Sequence, residues 1–139
     1  MRLLNFELGR SVYPIEIEGL GRSWDLHNQA EFRSLSFDPL ANTIVMEWFI
    51  GPDMPYSALR LLFANVRTLQ ISPRDGEVPA TEDYCLSYLA KVVPESANAH
   101  GYLPKREWSA EDPFHLLFEF RSDRVVVIDS ETVELIGVP

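Results

Sequence analysis

Residues 114–138 alternate apolar and polar side chains with a period of two, interrupted twice by turn-forming residues. Phe114, Leu116, Phe118 and Phe120 fall on one face, and His115, Glu119 and Arg121 on the other, with Leu117 the apolar exception. Successive side chains of a strand point to opposite faces, so this spacing predicts extended ribbons with one buried side. Arg121-Ser122-Asp123-Arg124 reads as a turn, residues 125–129 as a second strand, Asp129-Ser130 as another turn and residues 132–138 as a third strand. The pattern predicts a three-stranded antiparallel meander.

The same reasoning applies upstream. Residues 1–8 suit a first strand. Tyr13, Ile15 and Ile17 alternate with Pro14, Glu16 and Glu18, and the proline restricts that run to an edge strand or a strand entry. Residues 19–29 read as a polar loop and residues 31–37 as a strand, closed by a turn at Asp38-Pro39-Leu40-Ala41-Asn42. Residues 43–50 carry Ile44, Met46, Trp48 and Ile50 on one face, with Val45 and Phe49 on the other. A strand apolar on both faces belongs in the interior of a sheet, and the next strand, starting near Leu59, is its expected neighbour. In residues 59–71 the apolar parity changes around Asn65, which predicts one bent strand with a bulge there.

One segment has helical spacing. Cys85, Leu89 and Val92, widened by Leu86 and Val93, recur three and four residues apart. Thr81 suits an N-cap, Glu82 and Asp83 suit a first turn, Lys91 suits a last turn and Pro94 ends the run. A helix over 82–92 is predicted, followed by a long polar connection over 95–112. The expected fold is β-rich α+β: about seven or eight mostly antiparallel strands, in two layers or one strongly curved sheet, with that helix and the C-terminal meander.

The chain has 139 residues, 46% of them hydrophobic and 24% charged, which suits one globular domain with its own core. Cys85 is the only cysteine, so no intramolecular disulfide forms. No run approaches the ~18 apolar residues of a membrane span, and the N-terminus lacks a signal-peptide core. These features suit a soluble cytoplasmic protein with no membrane partner. The net charge of −9 opposes nucleic-acid binding, which depends on cationic contacts to phosphate. The charge is uneven: −2 over residues 1–72 and −7 over residues 73–139.

Catalytic and metal motifs are lacking. His27, His100 and His115 lie at no short metal-ligand spacing from one another or from Cys85. Gly19-Leu20-Gly21 lacks the third glycine of a dinucleotide fingerprint. Cys85 becomes a nucleophile only if a histidine approaches it; on an apolar stripe it reads first as a small buried hydrophobe. The expectation is therefore no cofactor, no metal and no catalytic set. Trp24, Tyr56 and Trp108 fall in predicted loops, where aromatics either bind partners or plug the end of a sheet. Together with the acids Glu95, Glu107, Glu111 and Asp112 they form the candidate binding set.

Three functions follow. The first is a small acidic interaction module for a basic partner protein, for example an inhibitor or an immunity-type protein. In size and charge the chain is similar to small acidic immunity proteins of bacteria, a likeness that rests on no motif and carries no residue over. The second is a small-molecule-binding module using the loop aromatics. The third is a small enzyme with a dispersed site around Asp25, His27 and His100.

Overall fold

The computed structural model describes residues 1–9, 15–93, 109 and 111–139. Its strands are β1 (Arg2–Leu4), β2 (Phe6–Leu8), β3 (Glu16–Gly19), β4 (Arg22–Asp25), β5 (Ala30–Asp38), β6 (Thr43–Ile50), β7 (Ala58–Ile71), β8 (Leu86–Val92), β9 (His115–Phe120) and β10 (Val125–Val138), with a 3₁₀ helix at Ala80–Tyr84. The larger sheet runs β5-β6-β7-β10-β9-β8, antiparallel throughout, and β1 joins β10 in parallel. The smaller sheet is the antiparallel set β2-β3-β4.

The large sheet curls around one apolar core. Ile44, Met46, Trp48 and Ile50 of β6 are buried inside it, as are Leu59, Leu61 and Phe63 of β7 and Leu116, Phe118 and Phe120 of β9. The curl brings Phe32 of β5 to 4.8 Å from Phe120 of β9, between ring centroids, although these strands are far apart in the sheet order. Leu117, the apolar exception of its strand, is buried on the opposite face with Ala90, Val92 and Val127. The small sheet contributes Phe6, Ile17 and Trp24 to the main core.

Several expectations are met residue by residue. β6 pairs with β7 from Thr43↔Ala64 to Phe49↔Ala58. β7 is one strand of 14 residues in which Asn65 has φ 53°. Next to it the register with β10 slips, since Asp129 faces Thr68 whereas Ser130 faces Val66. β7 therefore carries one extra residue, as a bulge requires. Asp38 closes its predicted turn by accepting hydrogen bonds from the Leu40 and Ala41 amides, at 2.9 and 3.1 Å.

Four expectations are corrected. The helix over 82–92 is absent: only Ala80–Tyr84 is helical, as a 3₁₀ turn, and Leu86–Val92 is a strand. Among the described residues the architecture is accordingly β, and the α+β class is not confirmed. A register shift between Leu86 and Tyr88 explains the misleading spacing. A bulge at Ser87 puts Leu86 and Leu89 on the same face, and three-residue spacing then imitates a helix. Thr81 is not the N-cap; Pro79 holds that position without a side-chain hydrogen bond. The C-terminal meander has two strands rather than three, because Asp129-Ser130 is an irregularity within a continuous β10 and not a turn. Ser130 is fully buried, and its hydroxyl donates to the Thr132 carbonyl at 2.9 Å, which keeps the chain extended. Finally, residues 19–29 are not all loop. Leu20 and Gly21, with φ of 53° and 81°, form the two-residue turn of the β3–β4 hairpin. Positive φ at both central residues is the geometry that matches the twist of paired strands.

Candidate functional site

The small sheet has one buried and one open face. Ile17 and Trp24 point into the core, so Glu16 and Glu18 on β3 point outward. Glu7 of β2 lies directly across from Glu18, and Asp25 of β4 lies directly across from Glu16. The outer face thus gathers Glu7, Glu16 and Glu18. None of the three forms an ion pair among the described residues. Arg22 shares the parity of Trp24 and covers that ring at 4.7 Å on the other side. Asp25 is occupied locally. Its carboxylate accepts from the His27 and Asn28 amides, both at 2.9 Å, and from the Asn28 side chain at 2.7 Å. Burial works against its charge, but these bonds and the nearby His27 outweigh it and hold its pKa below the ordinary carboxylate value.

The large sheet treats charge differently. Glu47 and Arg60 are cross-strand partners and are bonded at 2.5 Å. Arg67 grips Asp129 with two hydrogen bonds of 2.7 and 2.8 Å. Asp83 meets Arg74 at 3.2 Å, and Glu82 meets Arg121 at 3.1 Å. Several acids that make residues 73–139 so negative are therefore neutralised by arginines, two of which, Arg2 and Arg67, come from the first half of the chain.

Of the candidate binding residues, Trp24, Tyr56, Glu111 and Asp112 are described. Trp24 is 1% exposed and donates its indole N–H to the Gly19 carbonyl at 3.0 Å. Tyr56 packs against it, with ring centroids 5.9 Å apart. The pair fills the space between the small sheet and the end of β10, where a Cβ on Gly137 would lie 2.6 Å from the Tyr56 ring. Glu111 is exposed, and Asp112 accepts from the Ser109 amide at 2.9 Å at the entry to β9. Glu95, His100, Glu107 and Trp108 lie outside the described residues.

A histidine does approach Cys85. The Sγ atom lies 3.4 Å from Nδ1 of His27 and 3.9 Å from Nε2. Nδ1 is 2.6 Å from the Leu86 carbonyl, which only accepts, so Nδ1 carries the proton. The nitrogen free to take a thiol proton is then the more distant Nε2. Burial also pushes the Cys85 thiol pKa up, against the lowering effect of Arg121. The pair ties β8 to the β4–β5 loop without activating the sulfur. Among the described residues no group of three or more His, Cys, Asp or Glu could hold a metal ion, and no helix is long and apolar enough to cross a membrane.

One concave feature lies where the curled sheet fails to close. A cavity of about 320 Å³ opens between β5, the 3₁₀ helix and the adjoining ends of β7, β9 and β10. Phe32, Leu35, Ile71, Phe120 and Val126 form its apolar walls, and Arg33, Asp83, Tyr84 and Arg124 its polar rim. Sequence reasoning did not bring these residues together as a site, because they come from four strands, the 3₁₀ helix and the β9–β10 turn, and only the curl of the sheet assembles them. Comparison with protein-family models, with curated proteins and with solved structures gives no match for this chain.

Proposed function

We propose that this protein is an interaction module that presents the outer face of the β2-β3-β4 sheet to a basic partner protein. The observation that carries the reading is the bare carboxylate face of Glu7, Glu16 and Glu18. Like charges placed directly across a strand pair are destabilising. The large sheet avoids that cost by matching Glu47 with Arg60, whereas the small sheet places Glu7 opposite Glu18. A local rule broken without compensation among the described residues suits a surface whose compensation arrives from outside. A cationic partner would relieve the repulsion, be steered by it during encounter and lose affinity as salt rises. An inhibitor or immunity-type antidote to a basic protein is the form of this activity that suits a small acidic domain.

The test separates this face from general acidity. Capture from lysate is run with the wild type, with E7Q/E16Q/E18Q, and with a control variant D53N/E77Q/D123N. Asp53, Glu77 and Asp123 are exposed acids outside the strands of the small sheet. Both variants lose the same charge. A protein retained by the wild type and the control, lost by the face variant, and released between about 0.05 M and 0.5 M salt supports the reading. Equal retention by all three, equal loss from both variants, or no captured protein at low salt overturns it.

A further inference from the structure

We infer that the cavity at the open seam of the large sheet binds a small molecule with an apolar, ring-sized body and a carboxylate head. At about 320 Å³ it lies at the small end of the range for ligand sites, roughly 300–1,000 Å³. Its floor is preformed: the Phe32 ring is held between Trp48, 5.3 Å away, and Phe120, 4.8 Å away. At the rim, Ile71 and Tyr84 are 50% and 49% exposed, leaving apolar surface that a ligand would cover. Mouths of curled and closed β-sheets are a common place for such sites.

Charge selects the head group. Arg33 is already paired with Glu31 at 3.1 Å and covers the Phe49 ring at 5.0 Å. Asp83 is claimed by Arg74 at 3.2 Å, and Arg124 reaches the same carboxylate only at 4.0 Å. Two guanidinium groups thus share one acid, and Arg124 is the cation left without full compensation. Its Nε is shielded from solvent and has no hydrogen-bond partner, as is also true of Arg74 Nε and Asp83 Oδ1 beside it, but of these three groups only Arg124 lines the cavity as a cation. A guanidinium beside an apolar cavity, in a chain of net charge −9, favours a planar anion that it can grip through two parallel N–H donors. A carboxylate on an aromatic or short aliphatic body meets both requirements. This site is separate from the carboxylate face of the small sheet and stands or falls independently of it.

The experiment uses three probes with one body: hydrocinnamate, its neutral amide and the corresponding phenylpropyl ammonium. Each is titrated into the isotope-labelled full chain while amide resonances are followed. Hydrocinnamate is expected to shift Ser34, Leu35, Ile71, Tyr84 and Val126 and to bind about tenfold tighter than the amide. R124Q should bring that ratio close to one. D83N, which removes the competing negative charge, should raise hydrocinnamate affinity. R60Q, on an ion pair remote from the cavity, should change neither, which guards against a general loss of cation. The proposal is overturned if acid and amide bind equally, if the ammonium probe binds best, if the shifts map elsewhere, or if none of the three binds. Should R124Q unfold, S34W, which blocks the mouth, takes its place, and undiminished hydrocinnamate binding by S34W refutes the site.

Discussion

The same substitution, glycine to alanine, should have three different consequences at three positions. At Gly19, an added Cβ would lie 2.5 Å from the backbone oxygen of Asn5, 2.8 Å from Leu135 Cδ2 and 2.9 Å from Phe6 Cβ. The Asn5 and Phe6 contacts lie at the β2–β3 pairing and the Leu135 contact joins the small sheet to β10, and the nearest of the three is backbone, which cannot rotate away. Overpacking of this kind costs about 2 kcal/mol within a usual range of 1–3. For a chain of this length that amounts to roughly 7 °C in midpoint. At Gly21 nothing lies within 4 Å, but φ is +81°, so alanine pays about 1 kcal/mol for a left-handed backbone. At Gly51 there is open space and no such φ, so alanine is neutral or stabilises by a few tenths of a kcal/mol by restricting the unfolded chain. The assay is urea unfolding followed by tryptophan fluorescence, with the denaturant slope required to stay constant across the series. The expected order of destabilisation is G19A, then G21A, then G51A. If G19A falls within about 0.5 kcal/mol of G51A, the close packing of Gly19 against Asn5, Phe6 and Leu135 is wrong.

Other outcomes follow from single residues. E18Q should stabilise the fold by about 0.2–0.5 kcal/mol by removing the repulsion from Glu7, and the gain should vanish in 1 M salt; a loss of stability would refute the pairing. Burial opposes the charge on Asp129, but the Arg67 hydrogen bonds and the nearby His115 outweigh it and lower its pKa. Its contribution is therefore complete above the ordinary carboxylate range and lost as pH falls through the lowered folded value. Wild type should exceed D129N in stability at pH 7, and the gap should narrow on acid titration below about pH 4; a constant gap would refute the assignment. Cys85, with its raised thiol pKa, should react with a disulfide reagent at pH 8 at least about tenfold more slowly in the folded chain than in urea. Equal rates would show that the sulfur is not sheltered against His27.

Elements governed by strict alternation could be read directly from the residues. The Phe114–Phe120 stripe, the two-sided β6 and the turn at Asp38 each follow from a local rule with no competitor. Two of the failures lie beside bulges. At Ser87 the extra residue made a strand resemble a helix, and at Asp129-Ser130, opposite the extra residue of β7, two turn-forming side chains sit inside a continuous strand. The β3–β4 hairpin was missed because its first turn residue is Leu20, which tolerates positive φ poorly and gives no turn signal on its own. The candidate sites were less legible still. Glu16 and Glu18 show their shared face in the sequence, but Glu7 joins them only through strand register. The seam cavity needs Phe32, Ile71, Phe120 and Val126 from four strands. Net charge per half-chain was misleading because ion pairs such as Arg67–Asp129 cross the midpoint.

The place of β10 has a consequence for biogenesis. It pairs with β7 along its whole length, with β9 through residues 125–128 and with β1 through residues 132–134, and every one of these partners precedes it in the chain. A nascent polypeptide leaving the ribosome therefore displays a 14-residue β7 with one whole edge vacant until β10 emerges. The fold closes late, by insertion into its middle rather than by growth at its rim, which makes it slow to form and dependent on protection from stray strand pairing during synthesis.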